Sequence, residues 1–116
     1  MPAYQDIFED PATSIIDGAT HYSPTIEIKV YQLVGYYVSA DSIPAGTTIA
    51  FQLSGKKEKP TLDSEFVTVD TSDFTATTEP SMVEKRTSYR WFRYKIINGG
   101  GADITGFSGS ISCKGA

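Results

Sequence analysis

What most constrains this chain is a succession of short segments that alternate apolar and polar residues. Turn residues cut them apart, and none holds a helical period. Residues 25–33 alternate cleanly, with Ile26, Ile28, Val30 and Gln32 to one side and Glu27, Lys29 and Tyr31 to the other. Residues 34–38 extend this strand or begin another, with Gly35 a candidate bulge. Asp41, Ser42, Pro44 and Gly46 form a turn, after which Ile49, Phe51 and Leu53 mark the core side of a further strand. A charged loop over 54–60 precedes a strand at 65–69, and the Thr-rich run 70–78 suits a short exposed strand. Residues 88–97 make the strongest strand. The Gly-rich turn 98–103 and a last strand over 104–113 follow, the latter with Ile111 and Cys113 on one face. Seven or eight short strands without a convincing helix or internal repeat predict an all-β fold, an antiparallel β-sandwich or jelly roll.

The N-terminal stretch 1–24 reads differently. Pro2, Pro11, Gly18 and Pro24 punctuate it, and the apolar residues come in pairs, Ile7 with Phe8 and Ile15 with Ile16. Such a segment cannot build its own core. We therefore divide the chain into an extended N-terminal arm, 1–24, and a β-sandwich domain, 25–116, with the arm lying on the domain or on a neighbour. On this reading the paired apolar residues of the arm meet a partner, and the domain folds without the stretch 1–20.

Charge and composition narrow the function classes. At 116 residues the chain is one domain. A net charge of −4 argues against a protein that grips nucleic acid. No apolar run is long enough for a membrane span, and the first residues do not read as a signal peptide. The charges are segregated. Residues 1–28 contain Asp6, Glu9, Asp10, Asp17 and Glu27 without a Lys or Arg, whereas 85–95 contain Lys85, Arg86, Arg90, Arg93 and Lys95 without an acid. Head-to-tail attraction between copies and two separately solvated faces both fit that pattern.

Catalytic and metal signals are sparse. Cys113 and His21 are the only residues of their kinds, and neither lies in a motif that would supply a base or a ligand set. A buried hydrophobe describes Cys113, and a packing or turn residue describes His21. Asp63, Glu65, Asp70 and Asp73 lack EF-hand spacing and read as solvated turn residues. We assign no catalytic residue, no cofactor and no metal. The most chemically loaded stretch is 89–95, where Tyr89, Trp91, Arg93 and Lys95 share one strand face and Phe92, Tyr94 and Ile96 the other. The second set suits a core. The first suits a protein interface, with Tyr89, Trp91 and Arg93 as anchors, or a platform on which sugars stack.

Residues 43–54, 66–74, 89–95 and 98–107 together resemble small β-sandwich structural proteins of tailed bacteriophages, above all capsid decoration (cement) proteins and more loosely virion adhesin domains. The resemblance spans about residues 25–113 and consists of strand and turn patterns, so no functional residue carries over. It implies no enzymatic activity, a location on the outer surface of the virion, the major capsid protein as partner, and homo-oligomers, most often trimers at threefold positions. Nucleic acid and membrane are not expected partners. The competing expectation is a carbohydrate- or receptor-binding module of a virion surface or tail, with Trp91 and the tyrosines as the stacking platform.

Overall fold

The computed structural model describes residues 5–28, 31–75, 83–84 and 89–115. Residues 1–4, 29–30, 76–82, 85–88 and 116 lie outside the described residues, and so do the expectations made for them. Nine strands are present among the described residues: β1 (Gln5–Asp10), β2 (Thr20–Tyr22), β3 (Ile26–Glu27), β4 (Tyr31–Ser39), β5 (Thr48–Ser54), β6 (Val67–Asp73), β7 (Val83–Glu84), β8 (Trp91–Ile97) and β9 (Ser108–Gly115). The described residues contain no α-helix, only a 3-10 turn at Asp63–Glu65.

Two antiparallel sheets pack face to face. One has the order β1-β9-β4-β7. The other runs β2-β8-β5-β6, with β3 continuing the line of β2 along β8. With β2 and β3 counted as one interrupted strand, each sheet has four strands, and every connection except β5 to β6 passes from one sheet to the other. That is the winding of a jelly roll, the second of the two all-β architectures the strand pattern allowed.

The core follows from the period-two pattern. Val34, Tyr36 and Val38 of β4, Ile49, Phe51 and Leu53 of β5, Phe92, Tyr94 and Ile96 of β8, and Ile111 and Cys113 of β9 all point between the sheets and are buried. Aromatic rings fill the middle: Phe51 lies 4.4 Å from Phe92 and 5.7 Å from Tyr36, which is 5.6 Å from Tyr94 (ring centroids). Gly35 is not a bulge. It pairs in register with Ser112, because an extra residue there would turn the next inward side chains to solvent. The irregularities fall instead between Tyr31 and Leu33 and between Phe51 and Gln52. The Thr-rich run is no separate strand either, as β6 continues through it to Asp73.

Among the described residues, the stretch before residue 25 lies on its own domain and contributes strands to both sheets. β1 is the edge strand of one sheet, and β2 lies at the edge of the other. Between them Ile15 exchanges backbone hydrogen bonds with Ile104 at 3.0 and 2.8 Å and is only 3% exposed. Asn98 locks this crossing. Its side-chain amide donates to the carbonyls of Ile15, Ile16 and Ala102, and its Oδ1 accepts from Gly100 N–H. Pro11 and Pro24 argue against a helix, but they sit just after β1 and in the gap between β2 and β3, and leave the strands free to pair. Gly99 is required where this loop crosses the next: a Cβ there would sit 2.2 Å from the carbonyl oxygen of Ala45.

Candidate functional site

The loaded face of β8 turns outward, as its alternation requires, but it does not stand open. Arg93 pairs with Gln52 of β5 in the strand register, and the connection 55–66 folds back over both. The Arg93 guanidinium lies between two rings, 4.0 Å from the centre of Tyr22 and 3.8 Å from that of Phe66. Its Nε donates to Gln52 Oε1 at 2.9 Å, and a terminal nitrogen donates to Asp63 Oδ1 at 3.1 Å. Asp63 also accepts from Gln52 Nε2 and, at 3.0 Å, from Lys95 Nζ. The hydrogen bonds from Lys95 and Gln52, in that order, hold the Asp63 carboxyl below its ordinary pKa. Trp91 Nε1 donates to the carbonyl of Lys56, and Arg90 donates to that of Lys57, both at 2.9 Å. At the far side of the loop the Glu65 carboxylate accepts from Lys56 and from the N–H groups of Leu62 and Thr61, which together bring its pKa down to about 2.

The aromatic-basic strand is therefore a clamp for the chain's own β5–β6 loop. Of the three anchors expected on it, Arg93 is 5% exposed and Tyr89 is half-buried against the core. The Trp91 indole is half-buried, with its N–H turned to the loop. The arm residues divide as well. Ile15 is core and Phe8 packs inward, whereas Ile7 and Ile16 are 60% and 70% exposed. The seven thus lie partly in the core, partly against the loop and partly at the surface. Ile7 shares an outer sheet face with two residues the sequence reading did not select, Leu33 and Tyr37. Alternation along β4 turns them outward, and the β1–β9–β4 pairing makes Ile7 their neighbour.

A second polar cluster joins the sheets at the β1–β2 edge. Asp10, the last residue of β1, is 7% exposed, and its Oδ2 accepts from Tyr94 Oη at 2.6 Å and from His21 Nε2 at 2.6 Å. Oδ1 accepts from the N–H of Ala12 at 3.1 Å. An ionised carboxylate only accepts, so the histidine nitrogen facing it bears the proton. Burial alone would raise the Asp10 pKa, but these donors outweigh it and the net shift is downward. The same burial and the Asp10 contact push the Tyr94 phenol upward. Sequence spacing held no sign of this triad, because its members come from three strands in two sheets. Cys113 is buried, and burial followed by the charge of Asp6 raises its thiol to about 11, far from a reactive thiolate. Among the described residues no group of three or more His, Cys, Asp or Glu side chains is arranged to hold a metal. The segregated charges meet in part within the chain: Arg90 Nε lies 4.0 Å from Glu27.

No protein-family description matches the chain, and no curated protein matches it. Among solved structures, a chain in the structure of infectious bursal disease virus, Gx strain, is similar with a TM-score of 0.53 and 15% identity, over 99% of this chain and 33% of that one. The chain thus spans about one third of the length of the virus chain it matches. The crystal structure of FLHE is similar with a TM-score of 0.46 and 16% identity, over 97% of this chain and 95% of that one. No helix among the described residues is long and apolar enough to cross a membrane. The protein is a small all-β sandwich of jelly-roll winding whose fold recurs in a viral structure.

Proposed function

We propose that the chain is a non-enzymatic structural protein of a virion, which sits on the outer surface of a capsid and binds the coat lattice and neighbouring copies of itself. The observation that carries this reading is the likeness of nearly the whole chain to part of a chain in a virus structure. The sequence resemblance to capsid decoration proteins points the same way. Side-chain chemistry supports it. The residues that would have to be mobile or reactive in an enzyme are engaged: His21 and Asp10 with Tyr94, Asp63 and Glu65 in the loop clamp, and Cys113 in the core. Large apolar side chains also stand outward on the strands, with Ile7, Leu33, Tyr37 and Ile97 each exposed. Side chains of that kind on a fixed scaffold suit docking rather than turnover.

The test is a count of this chain in purified particles from cells that express it, by quantitative mass spectrometry and by labelling of intact particles. The proposal expects many copies per particle, all reachable from outside without opening the shell. Particles that lack the chain, or contain it only inside, overturn it.

A further inference from the structure

The strand register arranges the outer face of the β1-β9-β4-β7 sheet in rows. Ile7, Ser112 and Gly35 make one row, and Glu9, Ser110 and Tyr37 make the next. On the other side of the Ile7 row, Lys114 of β9 lies beside Leu33 of β4. The middle strand thus presents serines flanked by larger side chains, of which Ile7, Tyr37 and Leu33 are 60%, 43% and 37% exposed. Glu9 and Lys114 are exposed at opposite ends of this face, and neither forms an ion pair among the described residues.

We propose that this face pairs with the same face of a second copy, about a two-fold axis lying in the interface and running across the strands. Two in-plane axes would bring the face onto itself, and the charges choose between them. An axis along the strands, centred on β9, stacks Lys114 on Lys114 of the other copy. An axis across the strands, through the Ile7 row, reverses the strand direction. Each Glu9 end then meets a Lys114 end, Leu33 comes opposite Tyr37, and Ile7 meets Ile7. Opposite charges and Leu33–Tyr37 contacts in the two end rows, with Ile7 against Ile7 in the central row, are the self-complementarity an isologous dimer needs. The small serines and Gly35 let the two sheets approach closely between these contacts.

The size of the face sets the strength. Three strands ~4.8 Å apart and four outward rows ~6.8 Å apart cover about 400 Å² per copy. That is about half of the ~800 Å² per partner in a stable complex. The pair is therefore weak in free solution, and it forms firmly where a shell holds copies at high local concentration. The inference rests on the proposed function only for where the copies meet.

Sedimentation velocity on the full chain, from about 10 μM to about 1 mM, tests it directly. A monomer–dimer equilibrium in the upper part of that range, weakened by salt, is expected. Glu9→Lys or Lys114→Glu alone weakens the dimer at least about tenfold, and the two together restore it to within about threefold. Both side chains are exposed, so circular dichroism of the variants should match the wild type. A strict monomer throughout, a trimer, or a dimer indifferent to the single reversals overturns the inference, as does failure of the double reversal to rescue. Chain found on particles without a solution pair refutes this contact and leaves the functional proposal standing. A rescued pair from a chain absent from particles does the reverse.

Discussion

Replacing Asp10 by alanine removes the carboxylate that ties the two sheets together at their shared edge. Two short charge-assisted hydrogen bonds are lost, from Tyr94 and from His21, and the Tyr94 hydroxyl is left buried without an acceptor. Hydrogen bonds to a charged group contribute about 1.5 to 3 kcal/mol each. Part of that is offset because no carboxylate has to be desolvated. A net loss of about 3 kcal/mol is expected. For 116 residues the unfolding entropy is about 0.24 kcal/mol per kelvin, so the melting temperature should fall by about 12 °C. Urea titration followed by the fluorescence of Trp91, the single tryptophan, reads the change. Tyr94→Phe alone should cost about 1.5 kcal/mol, and in that background Asp10→Ala should cost about 1.5 kcal/mol less, since no orphaned hydroxyl remains. The folded-state pKa of Asp10 lies below its ordinary value of 3.8. Its contribution is therefore present above that pH and is lost as pH falls through the folded value. The gap between wild type and Asp10→Ala should accordingly close below about pH 4. A loss under about 1 kcal/mol at neutrality, strict additivity with Tyr94→Phe, or a gap that persists unchanged into acid would refute the reasoning.

Three further outcomes follow from the packing. Arg93→Ala removes the plate between Tyr22 and Phe66 and should cost about 1 to 2 kcal/mol, because Asp63 stays partly solvated. Its sharper sign is faster trypsin cleavage after Lys56 or Lys57, since Lys59 precedes Pro60 and is not a tryptic site, and unchanged cleavage would mean the loop is held by other contacts. Gly109→Ala places a Cβ 2.2 Å from Tyr94 Oη and 2.9 Å from Phe107, an overpacking of about 1 to 3 kcal/mol. Adding Tyr94→Phe should recover part of that loss in a thermal melt, and a purely additive double variant would contradict the contact. Deleting residues 1–19 removes β1, Asp10 and the Ile15–Ile104 bridge and should abolish cooperative unfolding. A truncated chain with the wild-type urea midpoint would return this stretch to the status of an accessory arm.

The sequence by itself determined the fold class and the inward side chains of the long strands. Alternation with period two decides which side chains face together, and this needs only neighbours along the chain. Phe92, Tyr94 and Ile96, or Ile49, Phe51 and Leu53, are assigned to the core on that basis, and Asn98 with its glycines to a turn. Where a strand's outward face goes depends on what lies over it, and alternation is silent there. It places Arg93 outward, yet Arg93 is buried, because the β5–β6 loop, distant in sequence, returns to cover it. The stretch 1–24 escapes a local reading for the same reason. Its strands are short and Pro-bounded, so they are weak alone, and they form because β8 and β9 offer open edges to pair with. The Asp10, His21 and Tyr94 triad and the row of Ile7 with Ser112 and Gly35 exist only once strands distant in sequence are set side by side. Pairing partner, register and the covering of a face are long-range choices, settled by the burial and hydrogen bonding of the whole sandwich rather than by any local preference.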